Sequence, residues 1–450
     1  MARRPGHKQS KNVAVIGGGW AGCAAAVRSV QDGHQVTLYE TARTLGGRAR
    51  RIEIKGKSLD NGQHILLGAY RDTLRLMAAV GVDPHRALLR LPLQMRYPAG
   101  GNGMDFIAPR LPAPLHLLVA LWRSTGLRKQ DKLALARFSS AARWMDWRLN
   151  DDCSVAELLQ RFEQTERLIR LMWQPLCVAA LNTPIQRASA QVFLAVLRDS
   201  FGARRAASDM LIPRTDLSTL FPQHAADFLL KHGATVHLGA AVHDLAQQDE
   251  GWHVASGKPN ASGHFDAIIL ATPPDRASAL LAGLPQLDSV QMLRRQLDSF
   301  QYEAITTCYL QYGQTVRLPM TFMALQDNPA SGSWGQFVFD RGQLDPAHAG
   351  LLSVVISTSQ KAVALGRVAL AGLIGTQLAN TFNQPELAAP QWATVISEKR
   401  ATFSCTPALK RPANTTSLPA LFLAGDYTAS DYPATIESAV RSGVQAAQFI

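Results

Sequence analysis

Three observations predict an α/β chain in which a Rossmann-type, dinucleotide-binding domain is interleaved with an α+β domain. An apolar strand runs into a glycine turn and a small-residue helix at 13–22. A second apolar strand ends on a glycine and a carboxylate at 421–426. The sequence between them is first helical and rich in tryptophan, then alternates strands with helices.

The first element follows from Val13-Ala14-Val15-Ile16 leading into Gly17-Gly18-Gly19-Trp20-Ala21-Gly22. Gly17, Gly19 and Gly22 have the G-x-G-x-x-G spacing: one for a tight turn, one to let backbone approach a pyrophosphate, one for close helix-on-strand packing. The helix after the turn, expected over 21–30, offers its N-terminus to the phosphates. The second strand is expected at 35–39, and Glu40 ends it about 20 residues after the turn, where a carboxylate meets a ribose hydroxyl. Leu45-Gly46-Gly47-Arg48 then adds a glycine pair with a cation able to reach a phosphate or the cofactor. A nicotinamide dehydrogenase has no need of this second turn, so the pattern favours FAD over NAD.

From Gly17 to Arg48 the chain resembles the FAD clasp of the flavin amine oxidase and phytoene desaturase superfamily, whose FAD-binding domain is GR2-like. The resemblance implies that Gly425, Asp426, Thr435 and Ile436 meet the ribityl, pyrophosphate and isoalloxazine parts of FAD. It also implies that Val242 meets the adenine through its backbone. Two segments narrow it further: Leu59-Asp60-Asn61-Gly62-Gln63-His64 with Gly68 and Tyr70, and Gly425-Asp426-Tyr427-Thr428 leading to Tyr432 and on through Val440. With Trp173-Gln174-Pro175-Leu176, Leu181-Asn182-Thr183-Pro184 and Ile212-Pro213-Arg214, the whole chain resembles the squalene-associated FAD-dependent desaturases, the hydroxysqualene dehydroxylases of bacterial hopanoid and squalene pathways. It departs from the family pattern at Ala429-Ser430-Asp431 and at Ser438, where a side chain stands in place of a common glycine.

The order of elements is discontinuous, and the resemblance implies an FAD-binding domain made of 11–80, 210–275 and 415–450 and a substrate-binding domain made of 81–209 and 276–414. Helical spacing is read at 154–159 and 168–178, and strands at 234–238, 252–254 and 265–270, the last ending in a Pro-Pro turn. Beyond 276, strands at 304–310 and 351–357 precede a helix over 359–382. By resemblance this sheet is the floor of an apolar cavity facing the flavin.

The 450 residues, 47% of them hydrophobic, suffice for two intertwined domains with real cores. The 46 basic against 34 acidic residues give a formal charge of +12, which suits an anionic surface. No basic run interleaved with aromatics is present, so nucleic acid is not an expected partner. The tail from Met1 to Lys11, with Arg3, Arg4, His7 and Lys8, is followed by no apolar signal region. Five cysteines without a C-x-x-C pair support neither a disulfide framework nor a zinc site. These features lead to the expectation of a cytoplasmic protein without a metal. No stretch approaches the roughly 20 apolar residues needed to cross a bilayer. The segments 115–127 and 133–149 mix Leu, Trp and Arg as interfacial helices do, so peripheral attachment to the inner face of an anionic cytoplasmic membrane is expected.

The resemblance implies reductive removal of the allylic hydroxyl of hydroxysqualene: the oxygen is protonated, water leaves, and reduced flavin delivers a hydride to give squalene. A reductant that no motif specifies recharges the flavin. The leaving hydroxyl needs an acid, and the candidates are His64, Asp60 and Glu437, with Tyr70 and Tyr432 as donors. His64 leads because an imidazolium donates near neutral pH, while Asp60 and Asn61 alternatively fix a turn. Arg214 and Arg441 have no motif behind them. Trp173, Trp144 and Trp147 are read as core or as channel lining. The same clasp serves an oxidative carotenoid or phytoene-type desaturase, an amine oxidase, or a flavoprotein in which FAD is structural.

Overall fold

The computed structural model describes residues 9–248, 251–285 and 287–450. Arg3, Arg4, His7 and Lys8 of the basic tail lie outside them.

The nucleotide domain is built on a five-stranded parallel sheet ordered Thr235–Leu238, Gln35–Glu40, Asn12–Ile16, Ala267–Leu270, Leu421–Leu423. Val13, Ala14, Val15 and all of Ala267–Leu270 are fully buried, as central parallel strands covered on both faces must be. One covering layer joins the two ends of the chain. Helix Trp20–Gln31 packs on helix Ile436–Gln448 so closely that a Cβ on Gly443 would lie 2.1 Å from the Ala21 carbonyl oxygen. Val242–Gln248, Gly251–Ser256 and Gly263–Phe265 form a separate antiparallel sheet.

The second body is a five-stranded antiparallel sheet in the order Phe322–Ala324, Phe337–Asp340, Leu351–Ser357, Tyr302–Gln311, Trp392–Phe403. Leu351–Ser357 is buried throughout, and helix Arg367–Phe382 contributes Leu370, Ile374 and Leu378 to the core on one face of the sheet. The helix expected over 359–382 is two helices, Gln360–Ala364 and Arg367–Phe382, because Gly366 takes φ +83° and starts the second.

The helical region places its tryptophans differently from one another. Trp173 is fully buried, donates from Nε1 to Gln164 Oε1 at 2.9 Å, and meets the Phe138 and Phe193 rings edge-on. Trp147 is buried as well, but Trp144 is 91% exposed and belongs to neither core nor channel. The reason is register: the helix read over 133–149 runs from Lys129 to Trp144, and left-handed Asp146 and Trp147 end it. Among the described residues no helix is long and apolar enough to cross a membrane, no cluster of side chains matches a metal site, and all five cysteines are buried and free.

Candidate active site

Because the five strands are parallel, Gly17, Glu40, Gly239, Thr272 and Gly425, each just at or past a strand end, all lie along one edge of the sheet. That carboxyl edge is where open α/β sheets bind nucleotides. Gly17 has φ +109°, which favours glycine, and a Cβ there would stand 2.5 Å from the Ala271 carbonyl oxygen. A Cβ on Gly22 would stand 1.8 Å from the Gly17 carbonyl oxygen, whereas at Gly19 the nearest atom is Gly47 Cα at 3.8 Å. The first and third glycines are thus required by the turn, and the second leaves bare backbone at the helix start.

Glu40 is oriented by two backbone amides, Gly18 N–H to Oε2 and Ala42 N–H to Oε1, both at 2.7 Å. The Gly46-Gly47 turn docks directly on the first turn, with Gly46 N–H donating to Gly18 O at 2.9 Å. Ala240 N–H donates to Glu40 O at 2.8 Å, which brings Val242, half-buried two residues on, toward the Glu40 end of the edge. Thr272, which the sequence reading passed over, holds a buried hydroxyl without a partner at this edge. The cradle of bare glycine backbone and an unsatisfied buried hydroxyl fit a pyrophosphate-bearing cofactor. FAD would be held by Gly17, Gly19, Gly22, Glu40 and the Gly46-Gly47 turn at one end, and by Gly425, Asp426, Thr435 and Ile436 at the other.

Arg48 joins the two halves. It donates to Asp426 Oδ1 and to the Ala401 carbonyl, each at 2.7 Å, so its charge is already shared with Asp426. A second cation, Arg411, pins the segment after Asp426 by donating to the carbonyls of Asp426 (2.6 Å), Tyr427 (3.3 Å), Ser430 (3.0 Å) and Tyr432 (2.6 Å). The unusual Ala429-Ser430-Asp431 turn is therefore clamped. The Ser438 side chain is turned back onto its own segment: its hydroxyl donates to Pro433 O at 2.7 Å and its amide to Thr435 Oγ1 at 3.1 Å, closing the start of the C-terminal helix.

The acid candidates separate into different surroundings. His64 Nδ1 lies 2.8 Å from the Gly62 carbonyl, so Nδ1 carries the hydrogen and Nε2 the lone pair. Burial, with a further push from the Arg48 charge, lowers its pKa, so the imidazolium expected near neutral pH is the disfavoured form. Asp60, buried at the end of strand Lys57–Asp60, accepts from Leu217 N–H at 2.8 Å. Burial pushes its carboxyl up to about 7, against the pull of the Arg341 charge and the Leu217 amide.

Glu437 is an anchor. Oε2 accepts from Thr73 N–H (3.0 Å) and Thr73 Oγ1 (2.7 Å), and Oε1 accepts from Asp72 N–H (3.2 Å) and Arg441 Nε (2.8 Å). It thus satisfies first-turn amides of helix Arg71–Ala79 from another element. Tyr432 donates its phenol to Asp199, and burial raises the Tyr70 pKa beside Thr435. Beside Arg48 and Asp426, Tyr427 carries a buried hydroxyl with no partner, held protonated by burial.

The model of the flavin-containing amine oxidoreductase family matches residues 20–450. A hydroxysqualene dehydroxylase of Rhodopseudomonas palustris is 30% identical over 98% of each chain. A zeta-carotene desaturase of Synechocystis is 23% identical, over 97% of this chain and 96% of that one. A solved oxidoreductase from Methanosarcina mazei shares the fold, with TM-score 0.75 at 15% identity over 98% of this chain and all of that chain. With a clasp that fits FAD at the carboxyl edge of its parallel sheet, the chain belongs to the flavin-containing amine oxidoreductase family, in the group of the hydroxysqualene dehydroxylases, and is an FAD-dependent oxidoreductase.

Proposed function

We propose that this enzyme replaces the allylic hydroxyl of hydroxysqualene with hydrogen to give squalene. The observation that carries the reading is the full-length relationship to the Rhodopseudomonas dehydroxylase, in a chain whose Leu59–His64 and Tyr432–Val440 segments resemble that group. Reduced FAD supplies the hydride when bound. The chain's residues orient that cofactor, exclude water and manage one proton: hydride and proton together replace the hydroxyl, which leaves as water. Burial favours the protonated form of the Asp60 carboxyl and of the Tyr427 phenol, whereas His64 offers a lone pair at Nε2. The proton-holding role therefore moves away from His64, and Asp60 and Tyr427 are the groups here in which burial favours the protonated form.

The relationship to zeta-carotene desaturases supports a second reading, in which hydride is removed from a polyene. One anaerobic experiment separates the two. The flavin is reduced with dithionite, hydroxysqualene is added, and flavin reoxidation is followed alongside squalene by mass spectrometry. Squalene formed in step with reoxidation is the expected result. Flavin that stays reduced beside unchanged alcohol overturns the dehydroxylase reading and leaves oxidative desaturation.

A further inference from the structure

Helix Leu115–Arg123 packs His116 and Ala120 inward and turns Leu115, Leu118 and Trp122 outward, 51%, 53% and 74% exposed. Their spacing of three and four residues makes one continuous ridge. On the next helix Leu133 and Trp144, 64% and 91% exposed, share a face with Arg137. Lys132 Nζ ties the two helices together by donating to the carbonyls of Trp122 (2.9 Å) and Ser124 (2.8 Å). Clustered leucines and tryptophans at this exposure mark an interaction surface.

Charge identifies what covers it. Residues 110–148 carry eight Lys or Arg against Asp131 and Asp146, a net +6 out of the whole chain's formal +12. Of the two carboxylates, Asp131 is buried and accepts from Arg128 N–H and Thr165 Oγ1. Beside the loop that ends the ridge lies a cleft of about 500 Å³ lined by Arg128, Arg167 and Arg170, with Glu166 its exposed carboxylate. Arg167 braces it through the Gly126 carbonyl at 2.6 Å, and Arg128 and Arg170 make no ion pair among the described residues. Protein interface cores are depleted of charge; here Arg137 stands between Leu133 and Trp144. Apolar and aromatic side chains set among cations, on helices too short to span a membrane, are the composition of a surface that lies in the bilayer interface.

We infer that this face docks on an anionic phospholipid bilayer, with Leu115, Leu118 and Trp122 entering the boundary between headgroups and acyl chains and the Arg128–Arg170 cleft receiving a lipid phosphate.

The test uses the full FAD-loaded protein and sedimentation with vesicles of phosphatidylcholine, alone or mixed with phosphatidylglycerol. No substrate is added, so the outcome is independent of the dehydroxylase reading. Wild type binds the mixed vesicles far better than the neutral ones. A cation near such a surface contributes about fivefold to binding, so R128Q/R170Q loses ~30-fold on mixed vesicles and little on neutral ones. L118S/W122S weakens binding to both. Unchanged flavin absorbance in both variants shows that they fold. Equal binding to the two vesicle types, no binding, or an R128Q/R170Q variant that binds like wild type overturns the inference. So does a stable dimer in which Trp122 is shielded from an aqueous quencher without lipid.

Discussion

Replacing Glu437 with Gln distinguishes an anchor from an acid. The Glu437 carboxylate is 4% exposed and accepts four donors, two at each oxygen. Gln keeps an acceptor for the Thr73 amide and hydroxyl but turns an NH2 group toward Asp72 N–H and Arg441 Nε. Arg441 is one-third exposed and retains Asp72 Oδ2 at 3.1 Å, so its share of the loss is small. The cost falls on the Asp72 amide and on the donor facing it, about 2–3 kcal/mol in opening the first turn of helix Arg71–Ala79. Hydrogen exchange reads that directly: the Asp72 and Thr73 amides exchange roughly 30- to 150-fold faster in E437Q. Turnover per bound flavin is retained. Unchanged exchange combined with lost turnover would refute the anchor and return Glu437 to the chemistry.

Gly22→Ala forces a Cβ to 1.8 Å from the Gly17 carbonyl oxygen and disrupts the clasp itself, while Gly19→Ala meets nothing closer than 3.8 Å; G19A should therefore fold like wild type yet retain less FAD, and equal FAD-to-protein ratios in G19A and wild type would count against the cradle. Arg411→Met removes four bonds to the carbonyls of 426–432, worth about 3 kcal/mol against local opening, so the Thr428 and Ala429 amides exchange roughly 100-fold faster; unchanged exchange would contradict the clamp. Asp60, raised from 3.8 to about 7, holds its proton in the folded chain where the unfolded chain has lost it, so its contribution to stability is complete below about pH 4 and vanishes as pH rises through 7. Asp60→Asn removes that titration, and its denaturation midpoint relative to wild type should climb across the same window; a constant offset would show that Asp60 does not titrate there.

Residue identity exposes a site where backbone geometry leaves one choice. Gly17 and Gly22 are legible in the sequence because any Cβ collides with backbone, and Glu40 because it must end the second strand beside them. Arg411 is not, since its partners are carbonyls, which every residue possesses. Glu437 and the Thr73 it anchors are 364 positions apart, and no local pattern announces such a pairing. His64 misleads for another reason: its residue type fits a proton donor, but burial and the Arg48 charge, both products of the tertiary fold, suppress the charged form. The exposure of Trp144 turned on where the helix ends, which left-handed Asp146 and Trp147 set and no local pattern announces.

The clasp also ties cofactor binding to the integrity of the fold. Arg48 and Asp426 are separated by 378 positions, and the helices that carry the two ends of the chain are pressed together at Gly443 and Ala21. Closing so long a loop costs more conformational entropy than a local turn does, though only logarithmically more. A dinucleotide that contacts 17–48 at one end and 425–436 at the other binds the closed arrangement and not the unfolded chain. At 100 times its dissociation constant, free FAD then adds about 2.7 kcal/mol to stability. Substitutions at Arg411 or Glu437, both outside the glycine cradle, therefore weaken flavin retention through the closed state on which the cradle depends, and excess FAD should restore part of what they lose.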